Sequence, residues 1–144
     1  IVHERERSAD PMVNVAKTTR RLYPHSLDPK RRGIIQRMGE QARRQVIQAK
    51  QAFERRDAGL AQDLVRQDDE IDRLNRETFA LALEIGDDAD RREWAMHMML
   101  VARCVERIGD NAVDIGEQTA FVVTGLFREF EDASHPELAP PPIA

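Results

Sequence analysis

Apolar positions recur along this chain in steps of three and four over four separate stretches, the period of one face of an α-helix. The most regular stretch is the last, from about residue 91 to 126. There Val101, Val105, Ile108, Ala112, Ile115, Thr119, Val122 and Leu126 alternate by four and three. Such a seam suits a long helix packed nearly antiparallel to its neighbours. The stretch from about 60 to 85 repeats the pattern through Leu60, Leu64, Gln67, Ile71, Leu74, Thr78, Leu81 and Ile85. A second stretch, about 28 to 56, carries Ile35, Met38, Ala42, Ala49 and Phe53, and a first runs from about 4 to 21.

Breaker residues separate these stretches. Tyr23-Pro24 stops the first, because the residue before proline avoids the α region. Asp28-Pro29 opens the second as an N-cap followed by proline at the first helical position. Asp57-Ala58-Gly59 reads as a turn, Gly86 as the stop of the third helix, and Asp87, Asp88 and Asp90 as the start of the fourth. Pro11 is expected to kink the first helix or mark its true start. Gly109 and Gly116, one heptad apart, weaken the fourth helix and predict close approach of a neighbouring backbone. The fold predicted is all-α: an up-down-up three-helix bundle with long, spectrin-repeat-like helices over residues 24–127, preceded by an orphan helix over 1–23. Residues 128–144, rich in proline, read as a disordered tail.

Composition narrows the class. At 41% hydrophobic and only 5% aromatic, the chain favours helices over a β-sandwich. A net charge of -4 creates no field that would gather nucleic acid, so none is expected as a partner. The single Cys104 excludes an internal disulfide and, beside Val101, Val105 and Ile108, reads as a small core residue. No apolar run is long enough to span a bilayer, which makes the expected compartment cytoplasmic and the protein peripheral to a membrane at most. The numbered sequence starts at Ile1 already in helical pattern and reads as a fragment of a longer protein.

The chain also repeats itself. Residues 6–16, ERSADPMVNVA, align with residues 106–116, ERIGDNAVDIG, at a separation of 100 positions. Glu-Arg, Asp, Val and a following Asn or Asp recur in register, with three helices between the start of one copy and the end of the other. A three-helix unit is therefore repeated. Residues 105–117, VERIGDNAVDIGE, followed by FVVTG at 121–125, resemble the signature of the PhoU family, and QDDEIDRL at 67–74 resembles its counterpart on the preceding helix.

The resemblance covers about residues 4–130. It implies two three-helix repeats, of which this chain holds the last helix of the first and all of the second. In the family a histidine often follows the signature aspartate, whereas Pro11 and Asn111 stand there in this chain. The implied activity is a non-enzymatic adaptor that restrains the phosphate-starvation response, a matter of phosphate transport, phosphate homeostasis and transcription regulation. Its implied partners are the phosphate ABC transporter ATPase and a sensor histidine kinase, with a homo-oligomer, a dimer, as the assembly.

Carboxylates at one-turn spacing carry the candidate chemistry. Glu106 and Asp110 are neighbours on one face, Asp114 and Glu117 extend the stripe, and Asp68 and Asp72 repeat the spacing on the third helix. At 100° per residue the Glu106–Glu117 stripe lies opposite the Val101–Leu126 seam, so it is expected to face solvent or a groove. Clustered carboxylates invite a hard cation, or else neutralisation by Arg73, Arg76, Arg103 or Arg107. The resemblance implies metal binding, with iron, zinc or magnesium as candidate ions. The pairs are Asp68/Asp72 with Glu106/Asp110, and the incomplete pair Glu6/Asp10.

Other residues carry less. His97 follows Glu93 by four, not at the three-residue spacing of di-iron bundles, and reads as surface or interface. His3, His25 and His135 have no partner pattern. Arg20-Arg21 and Lys30-Arg31-Arg32 read as a solvated basic face, and Met96, Met98 and Met99 as core. No phosphate-binding loop or nucleophile–base pair is present, which leaves an enzyme without support. Two alternatives to the adaptor stand beside it: a generic helical interaction bundle and a metal-storage carboxylate bundle.

Overall fold

The computed structural model describes residues 2–22 and 29–126, with side chains described over 9–21 and 29–126. It consists of α1 (Val2–Leu22), α2 (Pro29–Arg55), α3 (Ala58–Leu83) and α4 (Ala89–Thr124), with no strand among the described residues. The expected breaks at Tyr23-Pro24 and Asp28 and the tail at 128–144 lie outside the described residues.

The boundaries of α3 and α4 have local causes. Asp57 caps α3, its carboxylate accepting from the backbone N–H of Gly59 and Leu60 at 2.9 and 3.0 Å. Asp88 caps α4 through the N–H of Arg91 at 3.1 Å. A cap of this kind contributes ~1 kcal/mol. The C-terminus of α4 closes at Gly125, whose φ of 72° is the left-handed geometry that glycine adopts without strain. Gly86 does not stop α3 in this way: the helix ends at Leu83 with Glu84 as its cap, and Gly86 is not left-handed. Nor does Pro11 mark the start of α1, which is helical from Val2 to Leu22 with Pro11 inside it and buried.

α2, α3 and α4 pack against one another as a three-helix bundle, and α1 packs on α4 alone among the described elements. The short turns at 56–57 and 84–88 make α3 antiparallel to both α2 and α4. Ile34, Met38, Leu64, Ile71 and Leu74 form the fully buried centre, each contributing ~1.5–3 kcal/mol of apolar burial. Val15 brings α1 onto this core. At one end Trp94 is buried under Arg31, whose guanidinium stands 5.9 Å from the ring and donates to the Leu81 carbonyl at 2.9 Å. Arg31 is thus fixed in the fold, in contrast to the solvated face expected of its segment.

Several positions read as core are surface. Phe53, Val122 and Leu126 are exposed, as is Met96, while Met98 is buried and Met99 half-buried. Cys104 is half-buried. Val122 and Leu126 lie at the C-terminal end of the α4 seam, where it runs into solvent, whereas Met96 points away from the buried Trp94, Ala95 and Met98 of the same helix. His97 is half-buried, its Nε2 at 3.7 Å from Glu93.

Candidate functional site

The strongest polar feature lies inside the bundle, where α2, α3 and α4 meet. Gln45 of α2 is fully buried and its Nε2 donates to Oδ1 of Asp68 on α3 at 3.0 Å. Both lie against Gly109 of α4. A Cβ at that position would stand 2.5 Å from Asp68 Oδ1 and 2.9 Å from Gln45 Oε1. Only the absence of a side chain lets the carboxyl and the amide fit there. Gly109 is therefore crowded as expected, but by side chains of α2 and α3 and not by the neighbouring backbone that was expected. Ala95, Ala102, Gly109 and Gly116, spaced by seven and all buried, form the small-residue row along which α4 receives its neighbours.

One turn along, Asp72 on α3 and Glu106 and Asp110 on α4 gather. Asp72 and Glu106 are buried and Asp110 is half-buried. Each buried carboxylate holds an arginine of its own helix: Arg76 Nη1 stands 3.9 Å from Asp72, and Arg103 Nη1 donates to Glu106. Asp110 feels the whole group. Burial first, then the negative charges of Glu106, Asp72 and Asp114, outweigh the attraction of Arg103 and push its carboxyl up to about 6.

The placement of the predicted residues is thus mixed. Asp72 and Glu106 lie near enough to Asp110 to act on its carboxyl, while Asp68 sits one turn away with Gln45, against Gly109. The expectation that Glu106 lies on a solvent-facing stripe opposite the core is corrected, since it is 6% exposed. The physical reason is that three helices pack on α4, so its buried arc is wider than the Val101–Leu126 seam and reaches Glu106. Asp114 and Glu117 are half-buried. Asp10 is exposed on α1, and the side chain of Glu6 lies outside the described residues. Of the arginines expected to neutralise the cluster, Arg76 and Arg103 do so, whereas Arg73 pairs with Glu70 and Glu77.

A metal ion of the kind the resemblance implies needs several carboxylate, imidazole or thiol donors converging on one point. Among the described residues no three carboxylate, imidazole or thiol groups stand together so as to hold one. Guanidinium groups already balance Asp72 and Glu106. Sequence reasoning missed Gln45, whose role is invisible without the partner helix. Its signal is a glutamine at an apolar position of α2, four before Ala49 and three after Ala42.

Comparison with known proteins bears on what this layer belongs to. The PhoU domain model matches residues 35–119, more than half of the chain, spanning the polar layer and both carboxylate pairs. The chain belongs to the PhoU family. Similar proteins include the phosphate-specific transport system accessory protein PhoU homolog 1 of Mycobacterium tuberculosis, 30% identical over 141 residues, covering 93% of this chain and 61% of that protein. The PhoU homolog of Zymomonas mobilis is 33% identical over 122 residues, 83% of this chain and 51% of its own. That of Clostridium acetobutylicum is 27% identical over 136 residues, 92% of this chain and 60% of its own. The chain thus spans between half and two thirds of these PhoU relatives. No solved structure matches. No helix among the described residues is long and apolar enough to cross a membrane.

Proposed function

We propose that this chain acts in phosphate-responsive regulation as a non-enzymatic adaptor. It restrains the phosphate-starvation response by linking a phosphate ABC transporter to a sensor histidine kinase at the cytoplasmic face of the membrane. The observation that carries this reading is the signature of residues 105–117, folded as the part of α4 that closes on Gln45 and Asp68. Its relatives bear the name of phosphate transport accessory proteins. Such a chain works by presenting surfaces, and its action is binding without turnover.

The test is genetic. Deleting the gene is expected to raise phosphatase and phosphate-uptake gene expression in phosphate-rich medium, and restoring the gene is expected to reverse it. Repression that persists unchanged in the deletion strain would overturn the proposal.

A further inference from the structure

On the outer side of the α3–α4 pair, large apolar side chains stand in solvent. Phe79, Leu83, Met96 and Leu100 are each more than half exposed. Between the two helices Phe79, Met96 and Leu100 border a groove of about 550 Å³, lined also by Met99 and, at one end, by Asn75, Arg76 and Arg103. Isolated apolar residues on a surface need no explanation, but a contiguous set along a groove marks an interaction site. The antiparallel register set by Asp68 against Gly109 puts Arg76 about level with Arg103, then Phe79 with Leu100, then Leu83 with Met96. The groove therefore has at one end two arginines, each paired on its inner side with a buried carboxylate, then an apolar run, and no acidic side chain among the described residues lines it.

We propose that this groove receives an amphipathic helix of a partner protein. Its carboxylates face Arg76 and Arg103, and its apolar residues, one and two turns further along, lie on Phe79, Leu100 and Met96. The walls are helices whose backbone groups are internally bonded, so they offer no edge for an added strand and favour a helix laid in the groove. Met96 and Met99 supply the adaptable surface common in such grooves. Charge selects the partner's sign. Arg76 and Arg103 are each 62% exposed at the side chain and touch Asp72 and Glu106 through one nitrogen each, leaving other N–H donors of the planar fork for an incoming carboxylate. The inference rests on the groove alone and does not depend on the phosphate reading.

The experiment titrates the full chain into a labelled helical peptide of about 14 residues with two glutamates in its first turn and leucines at the following i+4 and i+7 positions. Saturable binding is expected. Leu100→Asp is expected to weaken it at least about tenfold, with circular dichroism showing that the exposed position leaves the fold intact. Arg76→Glu is expected to weaken the acidic peptide and to improve binding of the same peptide with lysines in place of its glutamates. Absence of binding, or binding indifferent to both changes, would overturn the proposal. It would equally fall if Leu100→Asp abolished self-association seen by light scattering, or cosedimentation with phosphatidylglycerol vesicles, while the peptide stayed unbound.

Discussion

α1 and α4 carry two copies of one sequence pattern and meet opposite fates. Thr19 and Thr119 make the same hydrogen bond to the carbonyl four residues back, at 2.8 and 2.7 Å, and Pro11 and Asn111 are both buried. Elsewhere the copies part. Ala112 and Val113 are 1% and 6% exposed, while Met12 and Val13, at the equivalent positions, are 52% and 50% exposed. Gly109 is buried and Ala9 is exposed. α4 is covered by α2 and α3 as well as α1, whereas among the described elements α1 has only α4 against it. A face becomes core when a neighbour excludes water from it, and the same residues without that neighbour remain surface.

The contrast is broken most severely by a charge. Ala112 packs with Ala49, Leu64 and Val113, and Ala112→Asp buries a carboxylate without a counter-charge, an expected loss of ~3–5 kcal/mol. Met12→Asp is expected to change stability by no more than ~0.5 kcal/mol. Urea unfolding of both variants measures the difference, and equal losses would show that α1 is covered as α4 is.

A single methyl group comes next. Gly109→Ala is expected to destabilise by ~2 kcal/mol, because overpacking of ~1–3 kcal/mol and the disturbed Gln45–Asp68 bond exceed the ~1 kcal/mol gain in helix propensity. The α1 copy already carries alanine there, and Ala9→Ser is expected to lower stability by less than ~1 kcal/mol. A stabilised Gly109→Ala protein would mean that the polar layer is slack.

The third comparison is one of pH. The carboxyl of Asp110 is raised from 3.8 to about 6, so between those values the folded state holds more protons than the unfolded chain. Stability therefore falls as pH rises through this window, and above it the ionised group weakens the fold. Discounted for solvent access and for Arg103, the penalty is about 1 kcal/mol. Asp110→Asn is expected to raise the melting temperature at pH 8 and to lose that advantage as pH falls below 6 toward 4. Asp10→Asn, on the exposed copy, is the control and is expected to leave the melting curve unchanged. A uniform effect of Asp110→Asn from pH 4 to pH 8 would exclude titration as its cause.

The smallest effect expected is that of added cations. An ion that bound the folded state alone would stabilise it by ~2.7 kcal/mol at a hundredfold excess over its dissociation constant. Because Arg76 and Arg103 already hold Asp72 and Glu106, magnesium, zinc and ferrous iron are expected to leave the melting temperature unchanged. A rise that disappears in Glu106→Gln would instead establish the carboxylates as a cation site that displaces Arg103.

Periodicity and breakers were enough to read four helices, their antiparallel order and most of the core from Ile71, Leu74, Val101 and Val105, because the helical period is a local property of the chain. The repeat at residues 6–16 and 106–116 was legible by aligning the chain with itself, and crowding at Gly109 from the cost of glycine to a helix, whereas the pairing of Asp68/Asp72 with Glu106/Asp110 came only from the family resemblance. Only the tertiary structure decided that Glu106 is buried, that Gln45 belongs to the Asp68 layer, that Met12 and Met96 are surface, and that two arginines line an apolar groove. Each of these depends on how many helices cover a face. A single helix shows which residues share a side, but solvent access, desolvation and charge compensation are set by what packs against that side.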